Sequence, residues 1–373
     1  MTSPSRLFAP ISLGALELPN RIMVSPMCQY SAQDGSATDW HLVHLGSLAL
    51  SGAGLLFLEA TGVEPEGRIT PGCLGLYSDD NEAALARVLK VVRAVSPIPL
   101  AIQLAHAGRK GSSHTPWDGG MLIPPSNGGW VPIAPSAVAQ RPEEPPPRAM
   151  ERGDLSRVVT AFGNAARRAR RLGFQAIELH MAHGYLMHQF LSPLANQRTD
   201  EYGGSLDNRM RFPLEVLQAV IGTVAGTIPV GVRLSATDWA EGGWDLEQSV
   251  VLCKRLEKMG CAFVDVSSGG VSRLQKIVPG PGFQVPFAER IKREVNIPVI
   301  SVGMITEPKQ AEEIIAGGKA DMVALARAMM VNPRWPWRAA AELGGTVVAP
   351  HQYWRSVSAG LPPIFGDITF GQR

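Results

Sequence analysis

Short apolar runs recur along this chain and alternate with longer segments of helical periodicity. The eight apolar runs lie at 21–25, 55–60, 100–104, 176–180, 230–234, 263–267, 299–303 and 322–326. The helical segments include 81–95, 155–173, 246–260 and 307–318. Strands that are apolar along their whole length are buried on both faces, as in a parallel sheet covered by helices. Eight such units predict an α/β protein with a closed (β/α)8 fold, a TIM barrel.

Two segments outside this repeat add to the predicted architecture. Residues 11–21 form two short runs around a Gly turn, which predict an N-terminal hairpin closing the floor of the barrel. The proline-rich stretch at about 112–150 follows the third strand and predicts a capping loop on the catalytic side. We expect one domain over residues 1–373, ending in a C-terminal tail from about 345 to 373.

An open, doubly wound sheet is the alternative arrangement of the same elements. Its usual fingerprint is a Gly-rich phosphate turn after the first strand. Here that position reads SPMCQYS, which contains no glycine. The barrel is therefore the favoured prediction.

Composition and charge exclude several classes of function. The chain has 35 Lys and Arg against 33 Asp and Glu, a net charge of +2 spread along the sequence. This balance favours neither a nucleic acid nor a membrane as partner. Its four cysteines are not spaced as CxxC pairs, so we expect no metal site and no disulfide framework. The N-terminus has no apolar stretch of signal-peptide length, and a cytoplasmic location is the expectation.

Polar residues gather at the ends of the predicted strands, where the active site of a TIM barrel lies. The fourth strand ends in His180, followed by His183 and Tyr185, so two imidazoles and a phenol are aimed at one region. Such a set can hold a carbonyl oxygen and deliver a proton. Gly303 after the seventh strand and Arg327 after the eighth match the usual phosphate pocket of these barrels.

Several of these segments carry a resemblance to a known family. They are SPMCQY (25–30), IQLAHAGRK (102–110), the strand-four segment IELHMAHGYLMHQFLSPLANQRTDEYGGSLDNRMRF (177–212), GVRLSATDW (231–239), VDVSSGG (264–270) and SVGMI (301–305). The chain resembles the Old Yellow Enzyme family over nearly its whole length, and within it the cysteine-containing class that is called thermophilic-like or xenobiotic reductase A-like. The resemblance implies an FMN-dependent ene-reductase. Such an enzyme takes hydride from NADPH and reduces small electrophilic alkenes.

The resemblance also implies roles for individual residues. Non-covalent FMN would be bound by Ser25, Pro26, Met27, Cys28, Ala60, Gln103, Arg233, Gly303, Ala326 and Arg327. His180 and His183 would hydrogen-bond the substrate carbonyl, and Tyr185 would protonate the α-carbon. Cys28 would tune the flavin and contact the substrate.

Three further residues are implied in substrate binding. Tyr30 would line the pocket within the same subunit. Trp354 and Arg355 in the C-terminal tail would complete the site of a neighbouring subunit, in a homodimer or homotetramer. The sequence does not separate these two assemblies.

Two other functional classes compete with this interpretation. A barrel lyase could form a Schiff base on Lys110, which follows the third strand. That reaction has no use for the phosphate pocket, Gln103 and His180 together. A non-catalytic flavin sensor would need no proton donor, yet Tyr185 is present.

Overall fold

The barrel closes as predicted. The protein is represented by a computed structural model that describes residues 4–357, 362–366 and 368. The barrel strands are β1 (Ile22–Val24), β2 (Leu55–Gly62), β3 (Leu100–Ala105), β4 (Ala176–Met181), β5 (Val230–Ser235), β6 (Val264–Ser267), β7 (Val299–Val302) and β8 (Met322–Leu325). They pair in parallel in chain order, and β8 pairs with β1. Every residue in these strands is buried, which explains the continuous apolar runs.

Helices surround the barrel and cover the outer faces of the strands. They are α1 (Asp39–Ala49), α2 (Asp79–Val95), α3 (Arg152–Arg171), α4 (Leu186–Leu191), α5 (Leu206–Val224), α6 (Leu246–Lys258), α7 (Val285–Lys292), α8 (Pro308–Ala316), α9 (Arg327–Val331) and α10 (Trp335–Leu343). The Ser78 side chain caps α2 by accepting a hydrogen bond from Asn81 N. The buried side chains of α2 include Leu85, Val88 and Leu89, spaced to form one apolar face.

The N-terminal hairpin closes the amino end of the barrel. Its strands, Ile11–Leu13 and Leu16–Leu18, pair antiparallel around Gly14. Leu13 and Leu18 are buried in one cluster with side chains from inside the barrel, such as Phe57 and Phe263. Gly14 has φ +58°, and a Cβ there would lie 3.3 Å from Cβ of Pro229, so the turn favours glycine.

The predicted capping loop lies over the carboxyl end of the barrel. It contains short 3₁₀ turns at Pro116–Asp118 and Pro125–Asn127, and a parallel pair of two-residue strands, Ile133–Ala134 and Arg148–Ala149. Arg109, just after β3, donates a hydrogen bond from Nη1 to the Val138 carbonyl at 3.2 Å. This hydrogen bond ties the loop to the segment that follows β3.

The C-terminal tail lies at the opposite end of the barrel. A 3₁₀ segment at His351–Ser356 packs near Leu50 and Val95, where α1 and α2 end. Helices in a βα barrel run antiparallel to the strands, so these helix ends mark the amino-terminal face. Trp354 and Arg355 therefore lie away from the strand-four residues of their own chain. Within the described part of the chain, no helix is long and apolar enough to cross a membrane.

Candidate active site

A sharp turn after β4 carries the two histidines and the tyrosine. His183 has φ +57° and Gly184 has φ +72°, so two successive residues are left-handed. A Cβ on Gly184 would lie 2.2 Å from the Gly270 carbonyl oxygen, which restricts that position to glycine. The turn places the ring of His180 4.8 Å from that of Tyr185 and 5.0 Å from that of His183.

The hydrogen bonds of the two imidazoles decide what they can donate. His180 Nδ1 accepts from the backbone N–H of Ala182 at 3.2 Å, so its proton is on Nε2. His183 Nδ1 lies 3.3 Å from His180 Nε2, and His183 Nε2 lies 2.7 Å from Ser267 Oγ. The Ser267 hydroxyl also lies 3.4 Å from Gln284 Oε1; when it donates instead to His183 Nε2, both facing nitrogens carry protons. Two N–H groups then converge on a single acceptor oxygen.

Both imidazoles are neutral at neutral pH. Burial lowers the pKa of His180 and of His183 well below the usual range, and the nearby Arg233 guanidinium lowers both further. A neutral imidazole has only one N–H, so its tautomer determines which side donates. Ser267 is therefore positioned to control the His183 tautomer.

Tyr185 faces a cavity of about 380 Å³ beneath the capping loop. Burial raises the pKa of the phenol well above its usual value, so the hydroxyl keeps its proton. The ammonium nitrogen of Lys110 lies 5.4 Å from the centroid of the Tyr185 ring. Tyr30 lines the same cavity and packs edge-on against Trp117 of the capping loop, with ring centroids 5.4 Å apart. The phenol is thus protonated, and the cavity gives a substrate access to it.

A cluster of buried polar groups joins adjacent strands near the histidines. Gln103 Nε2 donates to Glu178 Oε1 at 2.7 Å, across the β3–β4 pair. Arg233 Nε lies 3.2 Å from Asp265 Oδ2, across the β5–β6 pair. Burial raises the pKa of Glu178 and of Asp265, and repulsion between the two carboxylates raises that of Glu178 further. The cluster thus holds the Gln103 amide and the Arg233 guanidinium on neighbouring strands beside His180.

The ends of β1 and β2 carry Cys28 above a buried glutamate. Glu59 accepts from the Gln29 backbone N–H at 3.0 Å, and its other oxygen lies 3.3 Å from His41 Nε2. Burial, then Cys73 and Glu59, raise the pKa of the Cys28 thiol well above its usual value. Cys28 is therefore a thiol and not a thiolate.

The other predicted residues on these two strands line the same edge. Ser25 and Ala60 are buried, and Pro26 and Met27 are partly exposed. The Ser25 hydroxyl is buried with no hydrogen-bond partner among the described residues. A buried hydroxyl of this kind indicates a missing polar ligand, which FMN would supply.

The predicted phosphate pocket lies at the ends of β7 and β8. Gly303 has φ +122°, and a Cβ there would lie 2.6 Å from Gln284 Nε2. Ala326 is partly exposed and Arg327 is exposed at the start of α9. Gln284 itself is buried, and its Oε1 accepts from the Ser268 hydroxyl at 2.6 Å. An exposed guanidinium after β8 and a glycine after β7 are groups that suit a phosphate.

A buried network supports the turn that carries Tyr185. His188 Nδ1 accepts from the Gly184 N–H at 2.8 Å, while His188 Nε2 donates to Asp238 Oδ1 at 2.8 Å. Asp238 Oδ2 accepts from Ser192 Oγ at 2.6 Å and from the Trp244 N–H at 2.7 Å. The network fixes the His188 tautomer and, through Gly184, the position of the turn.

The sequence prediction did not include several of these groups. Glu178 and Asp265 each interrupt an apolar strand, and that charged interruption is a signal that could have identified them. His188 and Asp238 are 50 residues apart, and nothing in the sequence pairs them. Among the described residues, no cluster of three or more His, Cys, Asp or Glu is placed to hold a metal ion.

Comparisons with known proteins identify the family of this chain. Residues 6–344 match the family described as NADH:flavin oxidoreductase / NADH oxidase. An NADPH dehydrogenase of Geobacillus thermodenitrificans is 44% identical over 351 residues, covering 94% of this chain and 98% of the relative. The structure of morphinone reductase in complex with tetrahydroNAD is 30% identical with a TM-score of 0.73, covering 92% of both chains. That of the old yellow enzyme homologue from Zymomonas mobilis is 28% identical with a TM-score of 0.73, covering 90% of this chain and 92% of that one.

Proposed function

The chain belongs to the NADH:flavin oxidoreductase / NADH oxidase family, and we propose that it is an FMN-dependent ene-reductase that uses NADPH. Its substrates would be alkenes activated by a ketone, aldehyde, imide or nitro group. The β-carbon receives hydride and the α-carbon receives a proton. The observation that carries this proposal is the turn after β4, which brings two neutral imidazoles together with the protonated phenol of Tyr185, and Tyr185 lines the cavity.

The strand ends supply the groups that would hold FMN. Gly303, Ala326 and Arg327 would bind the phosphate, with Gln103 and Arg233 at the ring. Ser25, Pro26, Met27, Cys28 and Ala60 would contact the flavin from the ends of β1 and β2. When bound, FMN supplies the hydride-transfer chemistry between NADPH and the alkene.

His180 and His183 hold the activating oxygen of the substrate. Negative charge grows on that oxygen as the β-carbon accepts hydride. With the Ser267 hydroxyl donating to His183, two N–H donors, whose nitrogens lie 3.3 Å apart, stabilise the charge more strongly in the transition state than in the ground state. Because the pKa of both imidazoles is lowered, each donates as a neutral group and neither transfers its proton.

Tyr185 donates the proton to the α-carbon. A phenol whose pKa is raised stays protonated across the working pH range and releases its proton only to a strongly basic carbon. The capping loop lies over this face, where Tyr30 packs against Trp117. Tyr30 and Tyr185 both line the cavity that admits the substrate.

Cys28 and the C-terminal tail complete the proposed site. The Cys28 thiol would donate weakly toward the flavin and tune its potential, while Tyr30 would contact the substrate. Trp354 and Arg355 lie at the amino-terminal face of their own barrel, so they would act in the site of a neighbouring subunit of a homodimer or homotetramer.

A single preparation tests the proposed function. The purified protein should release FMN on heating and, without oxygen, should oxidise more than one equivalent of NADPH only when 2-cyclohexenone or N-methylmaleimide is added. Replacing His180 or His183 with Ala should slow enone reduction by about a hundredfold or more, because one aligned donor contributes about 2.7–4 kcal/mol. Absence of FMN would favour the Schiff-base lyase, and FMN without enone turnover would favour a flavin sensor.

A further inference from the structure

The wall of the cavity beside Tyr185 carries an excess of positive charge. Arg109, Lys110 and Arg141 line it together with one carboxylate, that of Glu144. Glu144 is already engaged, because its Oε1 accepts from the Leu122 N–H at 3.0 Å and lies 3.6 Å from Arg141 Nε. The two remaining cations have no comparable partner. No carboxylate oxygen of the described residues lies within 4.0 Å of Arg109 or Lys110.

Backbone carbonyls hold these two cations in place. Lys110 Nζ donates to the His183 carbonyl at 2.7 Å and also to the Gly270 carbonyl. Arg109 donates to the Val271 carbonyl at 2.6 Å and to that of Val138. An ammonium has three N–H donors, so two carbonyls leave one donor of Lys110, which lines the cavity, without a hydrogen-bond acceptor among the described residues.

A desolvated ammonium without a counter-ion is electrostatically unfavourable. Burial, and then the neighbouring Arg109, lower the pKa of Lys110 to about 8. An anion that enters the cavity would offset part of this desolvation and would accept the free N–H. The charge and the geometry are thus complementary to an oxyanion.

We propose that the cavity binds an oxyanion through Lys110, next to the reacting end of the substrate at Tyr185. This inference rests on the proposed ene-reductase function. The oxyanion has two sources to distinguish, a carboxylate on the alkene substrate or the 2′-phosphate of NADPH, because both reactants must approach the same face. A preference for acidic substrates, or for the phosphorylated dinucleotide, would originate at this one side chain.

The first arm of the test measures ligand binding to the FMN-loaded enzyme. Calorimetry at pH 7 compares 4-hydroxybenzoate with its methyl ester, which share the phenol and differ by one charge. We expect the wild type to favour the acid by about tenfold or more, and K110M to reduce this ratio to about one. K110R keeps the charge and should keep the preference. K90M removes an exposed lysine on α2 and should leave the ratio unchanged.

The second arm measures the dinucleotide. The ratio of the dissociation constants of NADPH and NADH is determined by stopped-flow reduction of the flavin in the same four proteins. Loss of the acid preference in K110M identifies the substrate as the source of the oxyanion, whereas loss of the NADPH preference alone identifies the dinucleotide phosphate.

Two results would overturn the oxyanion site. In the first, K110M leaves both the acid-to-ester ratio and the NADPH-to-NADH ratio unchanged, or both ratios are already close to one in the wild type. The other is an equal loss in K110R and K110M, which would show that a displaced His183 turn is responsible and not the charge. The binding ratios do not require turnover. A failure of ene-reduction with neutral enones is therefore a separate outcome, which bears only on the proposed function.

Discussion

Replacing Asp238 with Asn tests whether the buried network positions the turn that carries Tyr185. The Asp238 carboxylate accepts three hydrogen bonds, from His188 Nε2 at 2.8 Å, Ser192 Oγ at 2.6 Å and the Trp244 N–H at 2.7 Å. An amide has a single acceptor oxygen. If that oxygen faces Trp244, the amide N–H₂ faces His188 and forces the other tautomer. The Nδ1–H of His188 would then face the Gly184 N–H, so two donors would point at each other.

The opposite orientation of the amide also leaves a backbone donor unpaired. With the oxygen toward His188, the N–H₂ group faces the Trp244 N–H. An unpaired buried N–H costs about 1–3 kcal/mol, and the remaining bonds lose their charge assistance. We therefore expect D238N to lower the free energy of unfolding by about 2–4 kcal/mol. Displacing the Gly184 turn by about 1 Å would slow protonation by roughly a hundredfold.

The assay separates the two half-reactions of the FMN-loaded enzyme. Stopped-flow absorbance should show that D238N accepts hydride from NADPH at the wild-type rate but is oxidised slowly by 2-cyclohexenone. Urea denaturation supplies the change in stability. S192A is the control, because it removes one donor without affecting the His188 tautomer, and it should cost about 1 kcal/mol with little change in either rate.

Equal slowing of both half-reactions in D238N would show a general loss of structure. Unchanged rates with a large loss of stability would show that the network supports folding alone. Either result would refute a positioning role for Asp238.

Three further outcomes are expected. Y185F should reduce the rate of enone reduction by about a hundredfold while NADPH still reduces the flavin normally, and equal effects on both half-reactions in stopped flow would count against a proton donor. Because burial raises the pKa of Glu178 to about 8, above its unfolded value of about 4.3, the unfolded state ionises first and the wild type loses stability as the pH rises, so the stability of E178Q relative to wild type should increase between about pH 5 and about pH 8. Parallel pH profiles of unfolding would contradict that linkage. C28A and C28S should both turn over, with flavin midpoint potentials that differ from each other and from wild type in a redox titration, whereas three identical midpoints would leave Cys28 a packing residue.

The barrel was predictable because its strands are buried on both faces. Full burial favours apolar residues at most positions, so each strand is visible as a largely apolar run such as 322–326, which contains β8. The hairpin was visible for a related reason, since Gly14 separates two short runs. The polar residues at strand ends were also visible, because His180 and Arg233 stand where an apolar run stops.

Interactions between strands were not predictable. Gln103 meets Glu178, and Arg233 meets Asp265, only because of the register of β3 against β4 and of β5 against β6. Register depends on how the whole barrel closes, and a short sequence window carries no information about it. The sequence presents Glu178 as an isolated charge in a strand, whereas the fold makes it a hydrogen-bond partner.

The sequence by itself determined the barrel, its covering elements and the residue types at its catalytic end, since local burial and periodicity are properties of neighbouring residues. Only the tertiary structure decided the protonation states of the residues at the catalytic end. Segments distant in sequence desolvate these side chains. Desolvation keeps His180 neutral and Tyr185 protonated, and it lowers the pKa of Lys110. Desolvation depends on what surrounds a group in space, and for these residues the surroundings come from the loops after β3, β4 and β6 and from the capping loop.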